Sequence, residues 1–329
     1  MIRFPRTVVA LDWTGETAKL LKVRIAGSRS QILDYAVSVP GQVRDIGPLV
    51  RDFAGRFRKQ LHVAYPGRQT QIRQIDLPLA SESDLASSLP FEIRRHVPFA
   101  GTEDWGVYYQ ILGKDREKGR LSILAAVADR AERGRSVELL ASGGLEPRRM
   151  ELPPLAAVNH LIHAKERDTD DCWGVLDVGA SGSWLVLKRR GAPLHVRSLS
   201  VGCASFAQEI VLRCGVNRHE ADLVQRAEIS LSKVKPEWRD RTATLPSLLR
   251  NTLDELAVET MQQINQFRMR QGPVRRLHLG GGGALVHGIA TVLQNKIAIP
   301  VLPAHPFQTF SIPGTWDDKK RDHFEAVSP

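Results

Sequence analysis

The segments 12–19 (DWTGETAK) and 177–184 (DVGASGSW) resemble each other and lie 165 residues apart, about half of the chain. Each begins with an aspartate that follows a β-rich run, 7–11 in the first case and 172–176 in the second. A carboxylate at the end of a strand can hold hydrated Mg²⁺, while the N–H and hydroxyl groups of the turn contact phosphate oxygens. Either turn alone is typical of an ordinary hairpin, but the pair at this spacing favours a phosphate clamp.

A run of four glycines follows the apolar segment 277–279 and precedes an amphipathic stretch, 285–296, which predicts a helix. Glycines at a junction between a strand and a helix let the backbone approach a ligand closely, because they carry no Cβ. A tight turn without a ligand is the alternative. The run favours a ligand cradle, because four glycines in a row cost much conformational entropy on folding.

Length and composition predict a folded protein of two comparable lobes. The chain has 329 residues, of which 42% are apolar and 25% charged. Its net charge of +10 favours an acidic partner, an anionic membrane surface or phosphates, or else a solvated basic surface. The basic residues are scattered without interleaved aromatic residues, which does not favour nucleic-acid binding.

The three cysteines have no metal-ligand spacing, and their odd number is typical of a reducing cytoplasm. No run approaches the roughly 18 apolar residues of a spanning helix, so we expect membrane contact only through a partner. The predicted organisation is a first lobe at 1–153 with an insert at about 79–150, a second lobe at 154–311 with a reduced small subdomain at about 215–250, and a flexible tail at 312–329.

The two turns and the glycine run, in this order, resemble the phosphate-1, phosphate-2 and adenosine motifs of the actin/Hsp70/sugar-kinase superfamily. Within it, the segments 62–66 (HVAYP), 73–78 (RQIDLP), 89–99 (LPFEIRRHVPF) and 107–113 (VYYQILG) resemble the type IV pilus assembly protein PilM family. The resemblance covers about residues 6–310 and extends more distantly to the cytoplasmic part of type II secretion GspL.

The resemblance implies a two-lobed actin-like, ribonuclease H-like duplicated fold with a small α/β insert in the first lobe. It implies ATP with Mg²⁺ between the lobes, with Asp12 and Asp177 holding the cation through water. The residues expected to bind the nucleotide are Asp12, Thr14, Gly15, Thr17, Lys19, Asp177, Gly179, Ala180, Ser181, Gly280, Gly281, Gly282 and Gly283.

The first turn departs from the family pattern, which usually reads Asp-Ile-Gly-Ser where this chain has Asp12, Trp13, Thr14 and Gly15. Phosphoryl transfer needs a base or a group that positions water near the γ-phosphate, and no clear candidate appears, because the strand and turn after His62 contain no acid until Asp76. We therefore expect ATP binding with weak or absent hydrolysis and no catalytic residue.

The family implies a cytoplasmic adaptor at the inner membrane, which docks the cytoplasmic N-terminal peptide of a PilN-like bitopic partner. We expect the peptide to contact Phe91, Arg94 and Arg95 on the insert, because aromatic and arginine side chains are favoured at binding hot spots. Packing of Phe91 into the core of the insert is the alternative. The competing functions are a polymerising actin-like ATPase and a small-molecule kinase.

Overall fold

The computed structural model describes residues 5–13, 17–27, 29–38, 46–64, 70–96, 104–163, 171–190, 194–225, 245–304, 307 and 310–327. The strands are β1 Arg6–Trp13, β2 Ala18–Ala26, β3 Arg29–Val37, β4 Leu61–Ala64, β5 Gln71–Pro78, β6 Trp105–Asp115, β7 Arg120–Asp129, β8 Arg149–Glu151, β9 Cys172–Val178, β10 Ser183–Lys188, β11 His195–Leu199, β12 Val274–Gly280, β13 Val301–Pro303 and β14 Phe310–Ser311.

The helices are α1 Ile46–Ala54, α2 Glu82–Ile93, α3 Arg130–Ser142, α4 Pro153–His163, α5 Cys203–Cys214, α6 Arg218–Gln225, α7 Leu245–Leu248, α8 Arg250–Gln271, α9 Ile289–Ile297 and α10 Asp318–Val327. Among the described residues, short 3₁₀ helices cover Gly55–Gln60 and Gly282–Leu285. Along the described part of the chain, no helix is both long enough and apolar enough to cross a membrane.

The two larger sheets share one topology. The first-lobe sheet has the order β14-β3-β2-β1-β4-β8, and the second-lobe sheet has the order β11-β10-β9-β12-β13. In each, the first strand pairs antiparallel with the next strand of the chain and parallel with a later one. The hairpin registers also agree, because Asp12 lies opposite Lys19 and Asp177 lies opposite Trp184. The internal repeat found in the sequence is therefore a repeat of structure.

Strands β1 and β9, the first strands of their sheets, differ in how deeply they are buried. On β1, Val9 and Leu11 pack into a core with α1 and α3, while Ala10 between them stays exposed. Strand β9 is buried along almost its whole length. Its alternate residues face two different apolar clusters, Leu176 toward α5 and α8 and Val175 toward α4. Because both faces are covered, β9 is a continuous apolar run rather than an alternating one.

A third, smaller sheet has the order β5-β7-β6 and carries α2 on one face. It begins at Gln71, eight residues before the predicted start of the insert, because β5 pairs with β7 and not with the main sheet. Its other face presents Ile72 and Leu124 to Val186 and Val196 of the second lobe. The insert of the first lobe thus packs directly on the second lobe.

The C-terminal segment differs from its prediction as a flexible tail. Strand β14 pairs with β3 of the first lobe, and α10 follows it. Trp316 and Phe324 are buried against Tyr35 and Ile32. The run of charges in this segment suggested a solvated end. Its aromatic residues instead pack against β3, which lies almost 300 residues earlier in the chain.

The predicted helix 285–296 and the predicted small subdomain both belong to the second lobe. The helix expected at 285–296 is divided into the 3₁₀ turn Gly282–Leu285 and α9, since Gly288 adopts a left-handed conformation with φ of 81° at the start of α9. The predicted subdomain at 215–250 contains α6 and α7, while residues 226–244 lie outside the described part of the chain.

Candidate functional site

Asp12 and Asp177 are the next-to-last residues of the first strands of the two lobes, and they lie close enough for their charges to interact; we call the space between these two strand ends the cleft. Burial and, to a smaller extent, the charge of Asp12 raise the pKa of Asp177 to about 6, although Lys19 opposes the shift. Burial also raises the pKa of Asp12, and Lys19 opposes this shift. The side chain of Asp12 keeps contact with solvent. The three charged groups therefore lie together, although they belong to two lobes.

The second turn is fixed by backbone hydrogen bonds. The N–H of Gly179 donates to the carbonyl oxygen of Gly182 at 3.0 Å. The first two N–H groups of α5, from Cys203 and Ala204, donate to the carbonyl oxygens of Gly179 and Ala180 at 2.9 and 2.8 Å. Ala180 and Ser181 remain exposed at the tip. The turn is a rigid support that presents these two residues outward.

Gly202 explains why the second turn can lie so close to α5. A Cβ at this position would collide with the backbone of Ser181 and Gly182. The sequence prediction missed Gly202. Its only signal was its position just before the helix, since glycine is an accepted residue at a helix start.

The glycine run is packed against the second turn. Gly280 lies opposite Asp177 in the parallel pairing of β12 with β9. A Cβ on Gly281, which has φ of 78°, would collide with the Oδ1 atom of Asp177 and the carbonyl oxygen of Val178. A Cβ on Gly283 would collide with the side chain of Val178. Close packing of two motifs thus accounts for Gly281 and Gly283.

The first turn joins β1 to β2 between Trp13 and Ala18. Thr17 is half-buried beside it, and the cross-strand register brings Lys19 next to Asp12. Thr14 and Gly15, which were predicted to contact phosphate, lie outside the described residues.

Asp12 and Asp177 fit a hydrated divalent cation. Two carboxylates that repel each other in a partly buried cleft are stabilised in their charged forms when a cation lies between them. Within the described ranges, no three His, Cys, Asp or Glu side chains gather into a metal site. A cation held here by two carboxylates would therefore keep water as most of its ligands, as Mg²⁺ commonly does.

Of the predicted partner residues, Phe91 lies on α2, and Arg94 and Arg95 directly follow the end of this helix. Phe91 is 69% exposed, and Arg94 and Arg95 are exposed as well. The core of the insert is filled instead by Leu85, Leu89 and Ile93 of the same helix. The alternative that Phe91 packs into this core is therefore wrong.

The family described as type IV pilus assembly protein PilM matches residues 24–325. This chain belongs to the PilM family. A solved PilM-PilN type IV pilus biogenesis complex is 19% identical, with a TM-score of 0.78, and the match covers 97% of this chain and 94% of that chain. The ethanolamine utilization protein EutJ from Carboxydothermus hydrogenoformans is 14% identical, with a TM-score of 0.55, covering 94% and 89%. The fold of this PilM family member is the two-lobed actin-like fold.

Proposed function

We propose that this PilM family member is a nucleotide-responsive adaptor of the inner-membrane platform that assembles type IV pili. ATP with Mg²⁺ binds between the lobes and sets their angle, and the first lobe captures the cytoplasmic peptide of a PilN-like membrane protein. The support for such a partner is that the similar structure is a PilM-PilN complex. Family membership supports the role in pilus assembly.

The observation that carries the nucleotide part is the pairing of Asp12 with Asp177 across the cleft. The raised pKa of Asp177, caused by burial and then by the charge of Asp12, marks a place where negative charge lacks compensation. Bound Mg²⁺ would supply the positive charge that neutralises these carboxylates and the phosphates. Lys19 adds a fixed positive charge on the side of the first lobe.

The second turn and the glycine run supply the remaining contacts. Ser181 and Ala180 stand exposed on a turn whose backbone is held by α5, so they can meet phosphate oxygens without rearrangement. Gly280 and Gly282 belong to the run that borders Asp177. No acid occurs in the segment 62–75, which follows β1 in the first-lobe sheet and includes β4. We propose ATP binding with weak or absent hydrolysis for this reason.

Isothermal titration calorimetry with ATP and Mg²⁺ tests the proposal. Asp177→Ala should weaken binding at least about tenfold, because it removes one anchor of the cation and leaves the protein folded. Asp52→Ala, on the exposed side of α1, is the control and should bind like the wild type. Equal affinity of the wild type and Asp177→Ala would exclude the clamp. Absence of binding in all three proteins would mean that the chain keeps the fold without the ligand.

A further inference from the structure

Six basic residues gather at one end of the first-lobe sheet, and we call this surface the basic edge. Arg6 opens β1, Arg24 pairs with Thr7 near the end of β2, and Arg29 opens β3. Lys59 lies two residues before β4. Arg148 and Arg149 lie at the start of β8, and the backbone N–H of Arg148 donates to the carbonyl oxygen of Leu61. The members of the basic edge are Arg6, Arg24, Arg29, Lys59, Arg148 and Arg149.

The basic edge lies at the end of the sheet opposite the cleft. Strand β1 begins at Arg6 and ends at Trp13, next to Asp12, and β4 and β8 run parallel to it. At about 3.3 Å per residue, Arg6 and Asp12 are about 20 Å apart along the strand. The basic edge is therefore too distant to take part in the phosphate clamp.

Most of this positive charge has no internal compensation. All six side chains are on exposed residues. Arg149 pairs with Glu151 at 3.8 Å, and in the described part of the chain none of the other five pairs with a carboxylate. The three connections at this end of the sheet that carry the other four residues, 26–29, 55–60 and 143–149, contain one acid, Glu146. The net charge of +10 thus includes a surface where cations greatly outnumber anions.

The lowered pKa of His62 indicates that several residues of the basic edge lie close to this side chain. Burial lowers the pKa of His62, and the charges of Arg149, Arg6 and Arg148 lower it further, while Glu151 raises it. Three members of the basic edge therefore act on one side chain on the neighbouring strand β4.

The shape of the basic edge indicates what it binds. The ends of the neighbouring strands β3, β2, β1, β4 and β8 lie about 4.8 Å apart, so the cations spread over about 20 Å. A single carboxylate or phosphate is usually bound by a compact, partly buried arginine pair. A broad and solvent-open row of cations matches instead a surface with spread negative charge, such as a bilayer that contains anionic lipids.

We propose that the basic edge binds the anionic headgroups of a phospholipid bilayer directly. This contact goes beyond the proposed function, because it needs neither the peptide partner nor ATP. It would supply a second membrane signal beside the partner, and weak signals commonly act in pairs to hold a protein at a membrane.

Sedimentation of the full-length chain with vesicles tests the proposal. Vesicles of phosphatidylcholine with about one third phosphatidylglycerol should bind the wild type, and pure phosphatidylcholine vesicles should not. The triple variant Arg24→Glu, Lys59→Glu and Arg29→Glu should bind the anionic vesicles about 100-fold more weakly, since each basic residue contributes severalfold to affinity. Binding of the wild type should also fall steeply with added salt, because exposed charges are screened.

The matched control carries the same change of net charge elsewhere. Arg116, Arg135 and Arg190 are exposed and lie outside the basic edge, so reversing all three to Glu should leave vesicle binding within about threefold of the wild type. Circular dichroism checks the fold of both variants, and the neutral triple Arg24→Gln, Arg29→Gln and Lys59→Gln replaces the first variant if it unfolds. Equal loss of binding in both triple variants would overturn the proposal. Binding of polyglutamate without binding of anionic vesicles would also overturn it and would assign the basic edge to an acidic protein.

Discussion

Asp12 lies close enough to Asp177 for its charge to contribute to the raised pKa of Asp177, although the two residues come from different lobes. Each residue is the next-to-last of the first strand of its sheet, and the two sheets share the order of five strands. Two equivalent strand ends thus bring like charges to a common cleft. Such a pair is unfavourable by itself and becomes favourable when a cation lies between its members.

The pH dependence of stability should reveal this repulsion. Burial and the charge of Asp12 raise the pKa of Asp177 from 3.8 to about 6, so the folded state holds a proton more tightly than the unfolded state. The wild type should therefore lose stability as pH rises from about 4 through 6. Asp177→Asn removes the charge and should be more stable by about 3 kcal/mol at pH 7 without nucleotide.

Urea denaturation at a series of pH values measures this difference. The advantage of Asp177→Asn should be much smaller near pH 4, where the carboxyl group is protonated in the folded state and about half protonated in the unfolded state, and should vanish at lower pH. Asp52→Asn, on the exposed side of α1, is the control and should change stability by less than about 0.5 kcal/mol at either pH. An advantage of equal size at pH 4 and pH 7 would contradict the proposed charge repulsion.

The arginines at the end of α2 should govern capture of the partner. Arg94 and Arg95 are exposed, and Arg95 forms an exposed ion pair with Glu92 at 3.3 Å. Reversing both arginines to Glu should weaken binding of the partner's cytoplasmic peptide more than about tenfold, while ATP binding and thermal stability stay nearly unchanged. Fluorescence anisotropy with a labelled peptide measures the effect. The same reversal at two exposed arginines elsewhere, Arg116 and Arg135, should have none. Unaltered peptide affinity of the Arg94→Glu, Arg95→Glu variant would show that the peptide binds elsewhere on the protein.

Phe91 and Leu89 provide a matched pair on one helix. Phe91 is 69% exposed, whereas Leu89 is 1% exposed in the core of the insert. Phe91→Ala should lower peptide affinity about tenfold without a change in melting temperature, as expected for an exposed hot spot. Leu89→Ala should instead lower stability by about 2–5 kcal/mol, because it leaves a cavity. A large stability loss in Phe91→Ala would show that the ring supports the fold rather than a partner.

Glu209 on α5 should be a stability determinant of the second lobe. Its carboxylate accepts hydrogen bonds from the N–H and hydroxyl groups of Thr252 at 3.0 and 2.5 Å, from the N–H of Asn251 at 3.3 Å and from Arg213 at 2.9 Å. Burial raises the pKa of Glu209, but these hydrogen bonds outweigh burial and lower the pKa below its ordinary value. The carboxylate thereby caps the N-terminus of α8 from another helix.

Glu209→Gln should cost about 1–3 kcal/mol at neutral pH, because the amide accepts fewer of these bonds and adds a buried donor. The stability that comes from the charge is present above about pH 4.5 and is lost as pH falls below it, so the difference between the two proteins should narrow in acid. Chemical denaturation measures both effects. Glu138→Gln, on an exposed position of α3, should be neutral. A neutral Glu209→Gln would exclude the capping role.

The sequence by itself determined the repeat, the strand-ending aspartates, the glycine run and the PilM family. These features depend on residues close together in the chain, where strand runs, turns and glycines leave direct patterns. The agreement of the registers Asp12–Lys19 and Asp177–Trp184 follows from the same local patterns.

Only the tertiary structure decided which distant surfaces meet. The exposure of Phe91, the contact of Ile72 with the second lobe and the burial of Trp316 and Phe324 against Tyr35 all depend on partners far away in the chain. The same holds for the basic edge, whose members appear scattered in the sequence and gather only through strand register. Periodicity and composition report which residues can be buried or charged together, but the free energy of burial depends on the surface that arrives from elsewhere in the fold.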